Sequence, residues 1–487
     1  MLTRRSFTRG FGMMAACGCA MPSGFISEAI AQGMSDASPT ARGVILIKNA
    51  AVISMDQKIG VLPRADVLVR NGVIENVGEN LSDPAAEIID AQDMIVMPGF
   101  VDTHYHMWSA LGRNYLADGF EYFPAKAATA NHFSADDFYH SIMLAMAELA
   151  NNGVTTVHNW AHNVRSPAHA DAELRAHKES RLRARYSYGH IDGLARDVPL
   201  DFKDIERTRD EWFGSKSPFE GLVHLGVNLR GIGQATEEIF HRDVAASKER
   251  KLLISVHAGQ TPPNRMSAVD YEKRGYLGQD FLICHYLPGT DDDYAAMVRT
   301  GSPLSYATHS ELRLGLAGDA RDALMRMRKS GLAISLSSDA TSIAPPNMLE
   351  NMRFTWNLAI PWRGTPTEKQ TPLGFSEVLA MGTINGAKAL GLGDITGSLT
   401  PGKRADLVLI RTNDVNTAPM GNIEATVVMS ATPQNVDTVL VDGRYVKKGG
   451  KLVGYDVAAI VANAKASSLR IRKAAGGRLA PPPCCGG

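Results

Sequence analysis

The sequence predicts an α/β fold: a (β/α)8 TIM-type barrel with a small flanking β-sandwich domain built from both chain ends. Three observations predict it. Eight short apolar runs alternate with longer helix-patterned stretches through the middle of the chain, the pattern of a parallel sheet built from β–α units. β-branched runs with turn signals precede and follow that region. No G-x-G-x-x-G follows the first apolar run, which argues against a doubly wound sheet.

Composition sets the bounds. The chain has 487 residues, 44% hydrophobic and 21% charged, enough for a large core and a second domain. Lys+Arg and Asp+Glu both number 51, so no basic excess points to nucleic acid or an anionic membrane, and a small molecule is the expected partner.

Taken in order, residues 1–31 read as a twin-arginine signal peptide. Thr3-Arg4-Arg5-Ser6-Phe7 is the motif, an apolar stretch runs from Phe11 to Ile30, and Ala29-Ile30-Ala31 supplies small residues for cleavage. Periplasmic export is therefore expected. Ala15-Ala16-Cys17 is a weaker lipoprotein match, with Met14 where Leu is usual. No other stretch has the roughly 18 consecutive apolar residues of a membrane span.

Residues 32–42 read as a linker, and residues 43–95 as the first part of the sandwich. Its strand candidates are Val44–Ile47, Ala51–Ser54, Asp66–Val69 and Val73–Val77, with Asn71-Gly72 as a hairpin turn. The barrel is assigned to residues 96–394, its first run beginning one residue earlier. The eight runs are Ile95–Thr103, Val154–Trp160, Arg183–Gly189, Leu222–Leu229, Leu252–His257, Phe281–Tyr286, Pro303–Thr308 and Leu332–Ser338. One helix is clear: Ser134 caps it, Ala135–Ala150 carry an apolar stripe and Gly153 stops it. The last barrel helix is expected from Ser376 to near Gly391.

Residues 395–455 return to strand patterning at Ala405–Ile410 and Val436–Val441, followed by an Asp442-Gly443 turn. Residues 456–487 read as a helix and a Gly/Pro-rich disordered tail. The five cysteines, Cys17, Cys19, Cys284, Cys484 and Cys485, have no disulfide or zinc-ribbon spacing, and no role is assigned to the last two.

The strongest chemical signal is Pro98-Gly99-Phe100-Val101-Asp102-Thr103-His104-Tyr105-His106. A strand alternates its faces with period two, so His104 and His106 point the same way. At the C-terminal end of a barrel strand that direction is the active-site mouth. Two neutral imidazoles there make half a site for Zn²⁺ or Fe²⁺. His257, His285 and Asp339 end three other predicted strands. A lone histidine in such a place is usually a satisfied core residue; several at matching strand ends argue for a site.

These residues resemble the amidohydrolase superfamily, in its mononuclear branch of cytosine-deaminase-like and triazine-hydrolase-like (chlorohydrolase-type) enzymes. The C-terminal run Ala380–Gly393, continuing through Gly397–Leu407, is specific to it and belongs to the scaffold. The resemblance spans roughly residues 43–455. It implies one divalent metal, Zn²⁺ or Fe²⁺, on His104, His106, His257 and Asp339. Leu229-Arg230 stands where binuclear relatives carry a bridging lysine, which favours one metal. The resemblance further implies that the metal activates water, that Asp339 moves its proton, and that His285 orients the water or polarises the substrate. Such enzymes often dimerise, so a homodimer is left open.

One departure shapes the functional expectation. Deaminases of this branch show H-x-x-E where this chain has His257-Ala258-Gly259-Gln260, and glutamine cannot shuttle a proton. The first expectation is therefore hydrolysis of a non-peptide C–N bond in a small cyclic or aryl amide, urea or carbamate. The alternative is an aminohydrolase of a nitrogen heterocycle, in which Glu311 or His285 does the work of the missing acid. Glu311 can equally pair with Arg313 or another arginine. A catalytically inactive binding protein is a third reading; such members lose metal ligands, and all four are present here. Trp160, His162 and Asn163 follow the second strand and read as substrate-binding residues, with loop packing as the bland alternative. Gln260 is read as a substrate contact, and Tyr105, Trp108 and Tyr286 as candidate aromatic walls.

Overall fold

The computed structural model describes residues 42–114, 122–258, 266–314, 318–359 and 372–477. The segment expected to be a signal peptide, nearly all of the expected linker, Gln260 and the Cys484-Cys485 pair lie outside the described residues.

Strands from the two flanking segments join in one nine-stranded sheet. Leu407–Arg411 pairs antiparallel with Met94–Pro98 and stitches the segments together. One face encloses Ile47, Val67, Val69, Val96, Leu407, Leu409 and Leu440. Alternation sends Val408, Ile410 and Val439 to the other face, into the barrel core with Phe100 and Val154. Asn71 (φ 51°) and Gly72 (φ 78°) are both left-handed, as a two-residue hairpin turn requires. The runs Val44–Ile47 and Ala51–Ser54 are one strand, Val44–Ile53, whose register shifts between Ile47 and Ala50 beside left-handed Asn49 (φ 65°).

The barrel is an eight-stranded parallel sheet in sequential order. Its strands are Phe100–Tyr105, Val154–Ala161, Arg183–Tyr188, Val223–Leu229, Leu253–His257, Phe281–Cys284, Leu304–Tyr306 and Ile334–Leu336. It closes just past its last strand, through a parallel bridge between Tyr105 and Asp339.

Two predicted elements divide. Ile95–Thr103 is not one barrel strand: Met94–Pro98 belongs to the flanking sheet, and the barrel begins at Phe100. Gly99 is the crossing point. A Cβ there would lie 2.1 Å from the Thr155 side chain, so only glycine lets the chain pass between the sheets. The last barrel helix is two helices, Phe375–Met381 and Ile384–Ala389. Thr383 is non-helical, and the Gly382 carbonyl accepts from Val101 N at 2.9 Å, tying the break to the first barrel strand.

The helix Ala135–Asn151 forms as patterned, with a reciprocal capping box between Ser134 and Asp137. Val457–Ala474 is helical, capped by Asp456, and buries Ile460, Ala464 and Ile471. No helix among the described residues is long and apolar enough to cross a membrane.

Candidate metal centre

His104 is the last residue but one of the first barrel strand and His106 follows just beyond it, so both rings reach the same side, with centroids 4.6 Å apart. Asp339 faces them from just beyond the eighth strand. Its Oδ1 lies 3.2 Å from His104 Nε2 and 3.2 Å from His106 Nε2. His257, at the end of the fifth strand, brings its Nε2 to 3.2 Å from His104 Nε2. Bonds of about 2.0–2.1 Å to a central ion put tetrahedral ligand atoms about 3.3 Å apart. The ligand atoms of His104, His106 and His257 lie within 4.8 Å of one another, as do those of His104, His285 and Asp339, two overlapping groups that could hold a divalent ion.

Electrostatics agree with that fit. Burial holds His104 and His257 well below the ordinary imidazole pKa, and His106 below it, so all three are neutral with a lone pair to offer. Burial pushes the Asp339 carboxyl up, but the facing His104 and His106 rings outweigh it and hold the group well below its ordinary pKa. The backbone is unusual at the same places: Asp339 (φ 61°), His285 (φ 66°) and Tyr286 (φ 76°) are left-handed, a costly conformation for such residues.

His285 follows the sixth strand. Its Nδ1 lies 2.9 Å from Glu311 Oε1, and both side chains are buried. Burial disfavours charge on the ring, but the Glu311 carboxylate, ahead of Asp339, outweighs it and holds the imidazole above its ordinary pKa. The Glu311 carboxylate is thus engaged with His285, and its other contact is the Ala307 amide at 3.4 Å. A ring nitrogen of His285 lies within 4.8 Å of the ligand atoms of His104 and Asp339.

A cavity of about 290 Å³ opens over these groups. His106, Trp160, His162, His257, His285 and Asp339 line it, together with Tyr122, Phe123, Lys126, His190, Asp192 and Gln234. Trp160 is a wall: its ring centroid lies 4.3 Å from that of His257 and 4.6 Å from that of His104. His162 also lines the cavity.

Asn163 does not line it. Its amide donates to Ala130 O at 2.9 Å, and its Oδ1 accepts from Asp192 N at 3.3 Å, so it fixes the wall from behind. Tyr105, Trp108 and Tyr286 are also backing rather than wall. The Tyr105 hydroxyl bonds Thr341, Trp108 Nε1 donates to His162 at 3.1 Å, and the Tyr286 hydroxyl donates to Met266 O at 2.8 Å. Arg230, after the fourth strand, turns away and donates to the carbonyls of Leu194, Ala195 and Val198.

Sequence reasoning did not find Lys126, His190 or Asp192. Lys126 sits on the helix Tyr122–Ala130 and the other two on the loop after the third strand. The only available signal was that loops after barrel strands line the mouth.

Fold and site together define a hydrolase of the barrel class that acts on carbon–nitrogen bonds. The chain belongs to the Amidohydrolase family, which it matches over residues 95–446. It is 28% identical over 440 residues to the 5'-deoxyadenosine deaminase of Methanosarcina barkeri, covering 86% of this chain and 96% of that one. It is 29% identical over 446 residues to the 5-methylthioadenosine/S-adenosylhomocysteine deaminase of Desulforudis audaxviator, covering 88% and 99%. Among solved structures it resembles a zinc-bound adenosine deaminase from Xanthomonas campestris, with a TM-score of 0.76 at 21% identity over 89% of this chain and all of that one (100%). It also resembles the zinc complex of the atrazine chlorohydrolase from Arthrobacter aurescens, with a TM-score of 0.74 at 20% identity over 87% and 100%.

Proposed function

We propose that this chain is a metal-dependent aminohydrolase that releases ammonia from a nitrogen heterocycle, with aminopurine nucleosides as the substrate class. The observation that carries the reading is the buried Glu311–His285 pair at the wall of the cavity that holds the candidate ligands. It offers a proton-holding group in a chain whose sequence carries Gln260 in place of the usual acid. The two relatives described above, matched over nearly their whole length, are nucleoside deaminases. This favours the deaminase over the amide, urea or carbamate hydrolase that Gln260 alone suggested.

His104, His106, His257 and Asp339 would hold one divalent ion, and the zinc in the similar structures favours Zn²⁺ over Fe²⁺. Bound there, the ion supplies Lewis acidity that makes water a nucleophile near neutral pH. The remaining work belongs to the chain. Trp160 offers an aromatic face against which a heterocycle stacks. Asp339 takes a proton from the attacking water and returns it to the departing nitrogen. His285, held by Glu311, donates a hydrogen bond to the ring as the amino-bearing carbon becomes tetrahedral. Water adds, the C–N bond breaks, ammonia leaves, and an oxo group replaces the amine.

The test is ammonia release from a panel of adenosine, 5'-deoxyadenosine and 5-methylthioadenosine beside aryl amides, ureas and carbamates. Ammonia from the nucleosides is expected. Acid or amine release from the carbonyl compounds, with none from the nucleosides, would overturn the reading. The Arg4-Arg5 motif supports periplasmic export as part of the proposal, and fractionation of cells carrying an Arg4→Lys/Arg5→Lys chain tests it.

A further inference from the structure

We infer that His162 is a positioning residue for the metal centre: its Nδ1 accepts the Nδ1–H of His106 and so selects the tautomer in which His106 Nε2 offers a lone pair to the ion. The inference rests on the metal-dependent reading above and assigns to His162 a task other than the substrate contact expected from sequence.

The protons can be placed by elimination. Trp108 Nε1 lies 3.1 Å from His162 Nδ1. An indole N–H only donates, so this imidazole nitrogen must accept and carries no proton. The Trp160 carbonyl is 3.4 Å from the same nitrogen, a longer contact. A proton directed at it would set two donors against each other at the indole. His106 Nδ1 lies 3.0 Å from His162 Nδ1. Two ring nitrogens at that distance need one proton between them, and with His162 Nδ1 bare it sits on His106. The His106 Nε2 is then unprotonated, and it is the nitrogen 3.2 Å from Asp339 Oδ1.

The far side of His162 selects the same arrangement. A neutral ring with a bare Nδ1 carries its proton on Nε2, and that nitrogen faces the Asp192 carboxylate at 3.4 Å. Lys126 Nζ holds the carboxylate from its other side at 3.0 Å. A donor on one face and an acceptor on the other therefore fix one tautomer of His162, which fixes one tautomer of His106. The rings of Trp108, His162 and His106 are all buried, which strengthens these bonds. His104 differs, because its Nδ1 is buried with no hydrogen-bond partner among the described residues. The fold orients the His106 arm through a second layer, in the way metal-bound histidines are held by a partner on their other nitrogen.

The test is a Zn²⁺ titration of the metal-stripped full chain against a competing chelator, for the wild type, His162→Leu and His162→Asn. Leucine fills space but cannot accept, and zinc affinity is expected to fall about 10–100-fold. Asparagine can present an oxygen near the Nδ1 position, and affinity is expected to stay within about threefold of wild type. Thermal unfolding of the metal-free forms separates this from misfolding, since both variants should match each other there. Wild-type zinc affinity in His162→Leu, or equal loss in both variants, would overturn the inference alone. A wild type with no zinc affinity would overturn the metal site and the inference together.

Discussion

Asp339 N donates to His104 O at 2.8 Å, and His106 N donates to Asp339 O at 2.7 Å, so the backbone that closes the barrel seam is the backbone of three candidate ligands. The same residues meet again through their side chains, with Asp339 Oδ1 3.2 Å from both imidazole Nε2 atoms. Closing the barrel therefore assembles most of the site. Seam hydrogen bonds, rather than long flexible side chains, fix these spacings, so ligand positions and barrel closure stand or fall together.

This coupling separates chemistry from folding in one substitution. Asp339→Asn keeps the shape and both seam bonds but replaces the carboxylate with an amide that cannot take a proton. Turnover is expected to fall about 10²–10⁴-fold, with thermal unfolding of the metal-free protein little changed. Steady-state kinetics beside calorimetry check it, and a variant that turns over normally would remove Asp339 from the proton path.

Glu311→Gln addresses the relay. The amide oxygen can still accept from His285 Nδ1, but it no longer favours a protonated ring. A kcat lower by about 10²-fold is expected with KM and unfolding temperature nearly unchanged. Loss of stability with kcat intact would make the pair structural.

Much of this was legible from residues, and the reasons are local. The H-x-H pair could be placed because strand alternation and barrel polarity are fixed by covalent geometry. Ser134 and Gly153 mark a helix whose ends are decided within a turn of themselves. The run from Ile95 to Thr103 contains the breaker pair Pro98-Gly99, and the close approach of Thr155 shows that the division falls at Gly99. Asn163 and Trp108 are of types that serve equally as wall or support. Which they became depended on Ala130, Asp192 and His162, partners that periodicity does not specify.

Gly99→Ala probes that division. The added methyl must displace Thr155, whose side chain would stand 2.1 Å away, at a cost of about 1–3 kcal/mol or more. The double variant with Thr155→Ala is expected to recover part of the loss in chemical denaturation. Full stability in Gly99→Ala would show that the crossing tolerates a side chain.

Behind the second strand, Glu173 is buried with Asn159 Nδ2 at 2.7 Å, and burial raises its pKa from 4.5 to about 8. Below pH 4.5 the group is protonated in both folded and unfolded chains and costs nothing. As pH rises toward 8 the unfolded chain ionises first, and the native state loses up to about 1.4 kcal/mol per pH unit. Glu173→Gln mimics the protonated acid, so the variant should gain stability over wild type from pH 5 to pH 8 and match it near pH 4. Urea unfolding across that range measures the gap; a gap independent of pH would mean that Glu173 does not titrate there.

The most direct test of the metal centre is elemental analysis of the purified protein beside His104→Ala. About one zinc or iron per chain, lost in the variant, is the predicted result. Two ions per chain, or none after reloading at neutral pH, would contradict the single centre formed by His104, His106, His257 and Asp339.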